Sequence, residues 1–319
     1  METKNKLKSL FTEHWKYMAV SAACKLNLFD HLQEEKTAKQ LAKELSLNEE
    51  KLLLLLNALR DSDFLDKNSN FFSLNSLSVF LTENNPESLK YACLNWSSEH
   101  LNAWQSLDFS IKTGKSSFEK IYGLPFFDYL IENPEKLQAY HKAMFQYAKD
   151  DYKALPNVID FSVYKTVADV GGGTGAVANI IAEANPDISC LLFDLPEVIQ
   201  LIPPTSNHRI TLCSGNFFEP FPFKVDAIVL SRVLHDWDSE KASNILKNCK
   251  NALNFGGKVY IIEIVENEVT AHLLSLNMLA MCQSYERTYH EYQNLVNTND
   301  LQILETKNLN SLQKILICQ

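Results

Sequence analysis

The sequence predicts an α/β protein in which a helical N-terminal portion precedes a mostly parallel sheet. Three observations carry this. From residue 166 onward come five short apolar runs, TVADV, ISCLLFD, ITLCS, VDAIVLS and KVYIIEI. They are continuous rather than alternating, and helical stretches separate several of them, as expected of strands buried on both faces. The first run leads directly into a glycine loop and a helix, TVADVGGGTGAVANIIAEANPD. The first hundred residues, by contrast, repeat their apolar side chains at helical spacing.

In chain order, TAKQLAKEL (Thr37 to Leu45) opens with a capping-box pattern, Thr37 with Gln40. A second helix is expected over about Asn48 to Arg60, with Leu52, Leu55, Leu56 and Leu59 on one face and Leu53 and Leu54 widening it. DFLDKNSNFFSL alternates around a polar turn as a short hairpin would. Helix, helix, hairpin is the winged-helix order, which raises a DNA-binding alternative. Against it, Lys39, Lys43 and Lys51 are outnumbered locally by Glu34, Glu35, Glu44, Glu49, Glu50, Asp61 and Asp63. Residues 85 to 155 read as helices rich in aromatics, most of them packing helix on helix and a few able to face a flat organic ligand. LQILE (301 to 305) and LQKILICQ (312 to 319) add two candidate strands. The expected divisions are 1–95, 96–155 and 156–319.

The net charge of −9 argues against nucleic acid as the main partner, since phosphate binding needs a basic face. Hydrophobic residues at 46% and charged residues at 22% are the proportions of a globular chain. The 7 cysteines are scattered without a CxxC pair, which reads as reduced thiols with neither disulfide framework nor metal site. METKNKLKSLFTEHWK lacks an apolar core of signal-peptide length, and no apolar stretch is long enough to span a membrane. The expectation is a soluble, cytoplasmic protein.

Gly171, Gly173 and Gly175 permit a tight turn and close approach of a ligand to the backbone. Asp194, at the end of the next strand, is placed to accept from ribose hydroxyls. Two cofactors fit this pattern. Gly171-x-Gly173-x-x-Ala176 satisfies the dinucleotide fingerprint of NAD enzymes. Asp169-x-Gly171-x-Gly173-x-Gly175 is the form used for S-adenosylmethionine (SAM). The loop alone leaves both open.

Beyond the loop, DVGGGTG, FDLPEVI, SGNFFEPFP, RVLHDWDSEKASNILKNCKNAL, GGKVYIIEIV and LNMLAMCQSYERTYHEY occur in this order. Together they resemble the catalytic domain of the SAM-dependent O-methyltransferases of the caffeate and hydroxyindole (acetylserotonin) type. KLNLFDHL, LAKEL and LLNALRDSDFL resemble the winged-helix dimerisation domain of that family. The resemblance implies a class I methyltransferase, Rossmann-like sheet, with residues 1–95 as dimerisation domain, 96–155 as a helical connector contributing to the substrate pocket and 156–319 as the SAM-binding domain. It implies a homodimer, a small-molecule acceptor and no metal.

The same resemblance implies that Asp169, Gly171, Gly173, Asp194, Leu195, Gly215, Asn216, Phe217, Arg232 and Trp237 bind the cofactor, with Asp194 on the ribose, Asn216 and Phe217 flanking adenine, and Arg232 near the methionine part. His235 would be the general base, with Glu286 and then Glu263 as its orienting carboxylates. Tyr140, His141, Met144, Asn277 and Met281 are pocket candidates. The chain departs from the family pattern at Asn216, where aspartate is usual, and at Gln283 and Ser284, where glycines are usual.

The chemistry agrees with these residue types. The sulfonium methyl of SAM is already activated, so the protein must align an acceptor and take its proton. A phenol with a pKa of about 10 is protonated at neutral pH, and histidine suits removal of that proton. A histidine at a strand end is more often structural, but the following Asp-Trp and the motif order favour catalysis here. Asp236 is expected to cap the next helix. His14, His31, His100, His141, His208, His272 and His290 lack such context and read as structural or solvated, His141 being also a pocket candidate from its place on the aromatic helices. C- or N-methylation and other SAM chemistry stay open as alternatives within the fold.

Overall fold

The computed structural model describes residues 2–203, 209–266 and 271–319. Two compact units are present, Met1–Leu101 with Lys142–Gln146, and Asn102–His141 with Tyr147–Gln319.

The first unit opens with the helix Glu2–Lys25 and the short strand β1 (Lys36–Thr37). Thr37 caps the helix Ala38–Glu44 in a reciprocal capping box with Gln40, and Asn48 caps the helix Glu49–Asp61. β2 (Asp66–Asn68) and β3 (Phe71–Ser73) form the hairpin, completing a sheet of order β1-β3-β2. Leu52, Leu56 and Leu59 enter the core with Leu28, Phe29, Leu41 and Phe72. Leu53 and Leu54 do not widen that face: they are 39% and 63% exposed. At 100° per residue they rotate away from the 52–56–59 stripe. Lys90 is buried, its Nζ held by Asp30 Oδ2 at 2.6 Å and Asn27 Oδ1 at 2.8 Å. On the first helix Leu7, Leu10, Phe11 and Trp15 form an exposed apolar stripe.

The second unit contains β4 (Thr166–Val170), β5 (Ser189–Asp194), β6 (Ile210–Ser214), β7 (Val225–Ser231), β8 (Leu253–Ile264), β9 (Ile303–Asn308) and β10 (Gln313–Cys318). Their order is β6-β5-β4-β7-β8-β10-β9, and β10 runs antiparallel to both neighbours. All seven apolar runs are strands. The expectation of burial on both faces fails for β6, where Thr211 and Leu212 are exposed because β6 is an edge. Centrally it holds: Val259 and Ile261 pack with Ile245 and Leu246 on one face, while Tyr260 and Ile262 pack with Ile181 on the other.

β4 pairs with β5 on one side and β7 on the other, so the strand order reverses at β4. Ligands of open α/β sheets bind beyond the carboxyl ends of the strands at such a point. The glycine loop leaves β4 there and the His235 turn leaves β7. Asp238, not Asp236, caps the following helix Ser239–Ala252, accepting from the Lys241 amide at 2.8 Å. A turn at 234–236 intervenes and sets the helix start two residues later than a direct strand-to-helix passage would.

No helix among the described residues is long and apolar enough to cross a membrane. Ile261 is fully buried between β7 and β10. Ile261→Ala is expected to cost about 2–5 kcal/mol of unfolding free energy in denaturant titration; a loss below about 1 kcal/mol would contradict this packing.

Candidate active site

Asp169, the penultimate residue of β4, has its carboxylate buried. One oxygen accepts the Ala178 amide at 3.0 Å, and the other, Oδ1, has no hydrogen-bond partner among the described residues. Burial lifts its pKa to about 7. Gly171, Gly173 and Gly175 hold φ of +69°, +59° and +88°, the left-handed region glycine tolerates best. A Cβ on Gly171 would come within 2.8 Å of Val233. Gly172, which the sequence reading passed over, is as constrained: its Cβ would lie 2.5 Å from the Asp169 carboxylate. That crowding depends on side chains of β4 and β5, so no local signal reveals it.

Asp194 Oδ2 accepts the Gly173 amide at 2.8 Å and Oδ1 accepts the Leu195 amide at 2.7 Å, while burial raises its pKa to about 6. Asp194 thereby ties the end of β5 to the glycine loop. Gly215 follows β6 where a Cβ would strike the Phe193 ring at 2.5 Å. Asn216 is exposed and its side-chain oxygen accepts the Phe218 amide at 2.9 Å. Phe217 reaches within 3.5 Å of the Gly171 Cβ position and meets Trp237 edge-on.

The turn after β7 is held by a set of buried charges. Arg232 takes φ of +55°, a conformation costing a non-glycine residue about 1–3 kcal/mol. Its guanidinium grips Glu286 through two hydrogen bonds, at 2.7 and 3.1 Å, and reaches Glu263 at 3.3 Å. Both carboxylates are completely buried. Glu263 Oε1 accepts the successive amides of Val233, Leu234 and His235 at 3.1, 2.9 and 3.3 Å. It grips the backbone of the turn and makes no ring contact. Glu286 Oε1 lies 2.9 Å from His235 Nδ1, and Asp236 Oδ1 lies 3.5 Å from Nε2.

Burial favours neutral carboxyls, yet His235 and Arg232 hold Glu286 down at about 2. An ionised Glu286 can only accept, so Nδ1 carries the proton and Nε2 carries the lone pair. For His235, burial and Arg232 oppose protonation, but Asp236, Glu263 and Glu286 outweigh them and raise its pKa above the usual value. Burial lifts Asp236 to about 6, with His235 pulling it back.

Arg287 and Ser284 complete the turn from the carbonyl side, and the sequence reading assigned neither a role. Arg287 donates to the Leu234 and Trp237 carbonyls at 2.5 Å each, and the Ser284 hydroxyl donates to the His235 carbonyl at 2.5 Å. Gln283 occupies the left-handed position at φ +59° that ends the helix His272–Cys282, where the related pattern has glycine. Among the described residues His235, Glu263 and Glu286 bring possible metal-ligand atoms within 4.8 Å of one another. Arg232 already bonds both carboxylates and supplies the cation of this cluster.

An aromatic wall rises beside it. Phe127 stacks on Trp237 at 5.5 Å and Tyr140 meets Phe126 edge-on. His141 approaches the Gly173 Cβ position at 3.2 Å, and burial lowers its pKa to about 4. Asn277 is buried and accepts from Trp104 Nε1 at 2.8 Å; Met281 is buried nearby in sequence on the same helix. Met144 falls in the 142–146 piece that clusters with the first unit. His100 is buried and neutral, lowered to about 4 by burial, whereas His14, His272 and His290 are exposed and His31 is partly so. His208 lies outside the described residues.

Fold and site together give an α/β protein with a glycine loop and a carboxylate-bound histidine at the sheet's switch point. Residues 104–301 match the family profile of the O-methyltransferase domain and residues 8–84 that of the O-methyltransferase dimerisation domain; the chain belongs to the O-methyltransferase family. It is 29% identical over 91% of its length to a phenazine O-methyltransferase of Lysobacter antibioticus, 88% of which is covered. The solved structure of LaPhzM superposes with a TM-score of 0.95 at 27% identity, covering 99% of each chain. An O-methyltransferase from neocarzinostatin biosynthesis, solved with SAM and 2-hydroxy-5-methyl naphthoic acid, gives 0.82 at 26% identity with 95% of each chain covered.

Proposed function

We propose that this enzyme transfers the methyl group of SAM to a hydroxyl of a small aromatic or enolic metabolite, with His235 as general base. The observation that carries the assignment is the His235–Glu286 contact, which leaves Nε2 as the proton acceptor. Of the two cofactors the glycine loop admits, family membership favours SAM. The residues fit it: glycines let the loop backbone pack where a Cβ would strike Val233, Leu192 or the Asp169 carboxylate, and Asp169 keeps a carboxylate oxygen without a partner among the described residues. Asp169, Asp194 and Asp236 make the surroundings acidic, which suits a cationic cofactor. Gly171, Gly173, Leu195, Gly215, Asn216, Phe217 and Trp237 would line that site, with Asp194 on its ribose. Asp194 would exchange or share its loop contacts there, while Arg232 acts from below through the two glutamates.

When bound, SAM supplies an activated methyl cation equivalent. The protein aligns the acceptor oxygen and removes its proton as the new bond forms. His235 Nε2 takes that proton, and the resulting imidazolium is stabilised by Glu286 on Nδ1 and by the Glu263 charge below. Before proton transfer, His235, Arg232, Glu263 and Glu286 sum to one net negative charge; afterwards the four are neutral. The buried site is therefore biased toward the protonated base. The relatives' phenazine and naphthoic acid ligands, with the aromatic wall of Phe127, Tyr140 and Trp237, support a flat acceptor. His141, Asn277 and Met281 are further candidates to border it.

His235→Ala is expected to lower turnover by about 10²-fold or more while leaving SAM affinity within twofold by calorimetry. Near-normal release of S-adenosylhomocysteine across a panel of phenols would remove the base assignment. Because the neutral ring is the active form and its pKa is raised, turnover should increase with pH along a limb centred above about 6.5. A midpoint below 6 in the kcat profile would contradict the carboxylate balance. We also propose a homodimer through the first unit, whose exposed Leu7, Leu10, Phe11 and Trp15 give a partner copy an apolar stripe. The double variant Phe11→Glu with Trp15→Glu should sediment as a monomer; an unchanged dimer would place the interface elsewhere.

A further inference from the structure

Ser284 stands where the family pattern has a glycine, and its side chain does what a glycine could not. The backbone at this point is occupied with ending the helix His272–Cys282: the Gln283 amide donates to Leu279 and the Ser284 amide to Met278. Those bonds need no side chain at position 284. The hydroxyl is therefore a separate feature. It is buried and donates to the main-chain carbonyl of His235 at 2.5 Å. The turn carrying His235 is otherwise gripped at its amides by Glu263 and at the Leu234 and Trp237 carbonyls by Arg287. The His235 and Asp236 carbonyls lie between those two, and Ser284 engages that of His235.

The peptide after His235 links the base to Asp236, whose carboxylate is 3.5 Å from Nε2. Rotation of that peptide would move both the ring and the carboxylate beside its reactive nitrogen. We infer that Ser284 is a positioning residue for His235: by fixing the His235 carbonyl, its hydroxyl holds Nε2 in the direction from which the acceptor proton is taken. The inference rests on the assignment of His235 as base and adds a residue to it. It also gives a reason for this chain's departure from paired glycines, since Gln283 retains the left-handed turn while Ser284 adds a bond to the base.

The test is a double-mutant cycle on the intact enzyme, with kcat, both KM values and melting temperature measured for each variant. Ser284→Ala should lower kcat about fivefold, the share of one buried hydrogen bond, with KM for SAM within twofold and the melting temperature little changed. Ser284→Thr, which restores the hydroxyl, should recover kcat to within about twofold. In a His235→Ala background, Ser284→Ala should cause no further loss, because its effect runs through the ring. Wild-type kcat in Ser284→Ala, or the same fivefold loss with His235 absent, would overturn the positioning role. Should Ser284→Ala melt much lower, the cycle still decides, since a general structural defect would depress the residual rate of His235→Ala as well. Near-normal turnover of His235→Ala alone is a distinct result, and it would overturn the base assignment beneath this one.

Discussion

The bidentate grip of Arg232 on Glu286, extended to Glu263, is the interaction on which the site depends. Two fully buried carboxylates would be intolerable without a cation and without donors for their lone pairs. Arg232 supplies the cation, the turn amides satisfy Glu263, and the His235 ring satisfies Glu286. Removing Arg232 leaves two buried carboxylates without their cation. The pattern therefore fixes its members together: the ring direction follows from Glu286, the turn from Glu263, and the left-handed backbone of Arg232 from the need to reach both.

This arrangement assigns different work to the two glutamates. Glu263, on β8, belongs to the rigid sheet and organises main chain; Glu286, past the helix His272–Cys282, reaches the imidazole. Arg287 and Ser284 arrive on the same segment as Glu286 and close the carbonyl side of the turn. A single loop thus carries the ring's partner and two anchors of its backbone, so one displacement would affect the ring contact and the turn geometry together. The neighbouring acids add field without grip: Asp236, near Nε2, is pushed up to about 6 by burial and pulled back by the ring it faces.

At the glycine loop the controlling constraint is steric. Asp194 ties the end of β5 to the loop through the Gly173 amide, and Asp169 ties the loop to the following helix through the Ala178 amide. Between these acids a Cβ on the loop glycines would press on Val233, Leu192 or His141, so the backbone packs this closely only with glycine. The left-handed φ values of Gly171, Gly173 and Gly175 were foreseeable from the glycine pattern. The crowding at Gly172, whose φ is unremarkable, was not.

The sequence by itself determined the sheet, because continuous apolar runs are stable only when both faces are covered, and it determined the helix caps, because Thr37, Gln40 and Asn48 act within a few residues. It also contained DVGGGTG and LHDW, which follow β4 and β7 at the sheet's switch point. Only the tertiary structure decided which carboxylate meets the imidazole, that Asp238 and not Asp236 caps the helix, and that Leu53, Leu54 and β6 face outward. Those outcomes turn on helix phase, edge position and hydrogen bonds between residues 28 to 54 positions apart. Arg287 and Ser284 were illegible for the same reason: their partners are main-chain carbonyls about fifty residues away, and a carbonyl leaves no mark on the sequence.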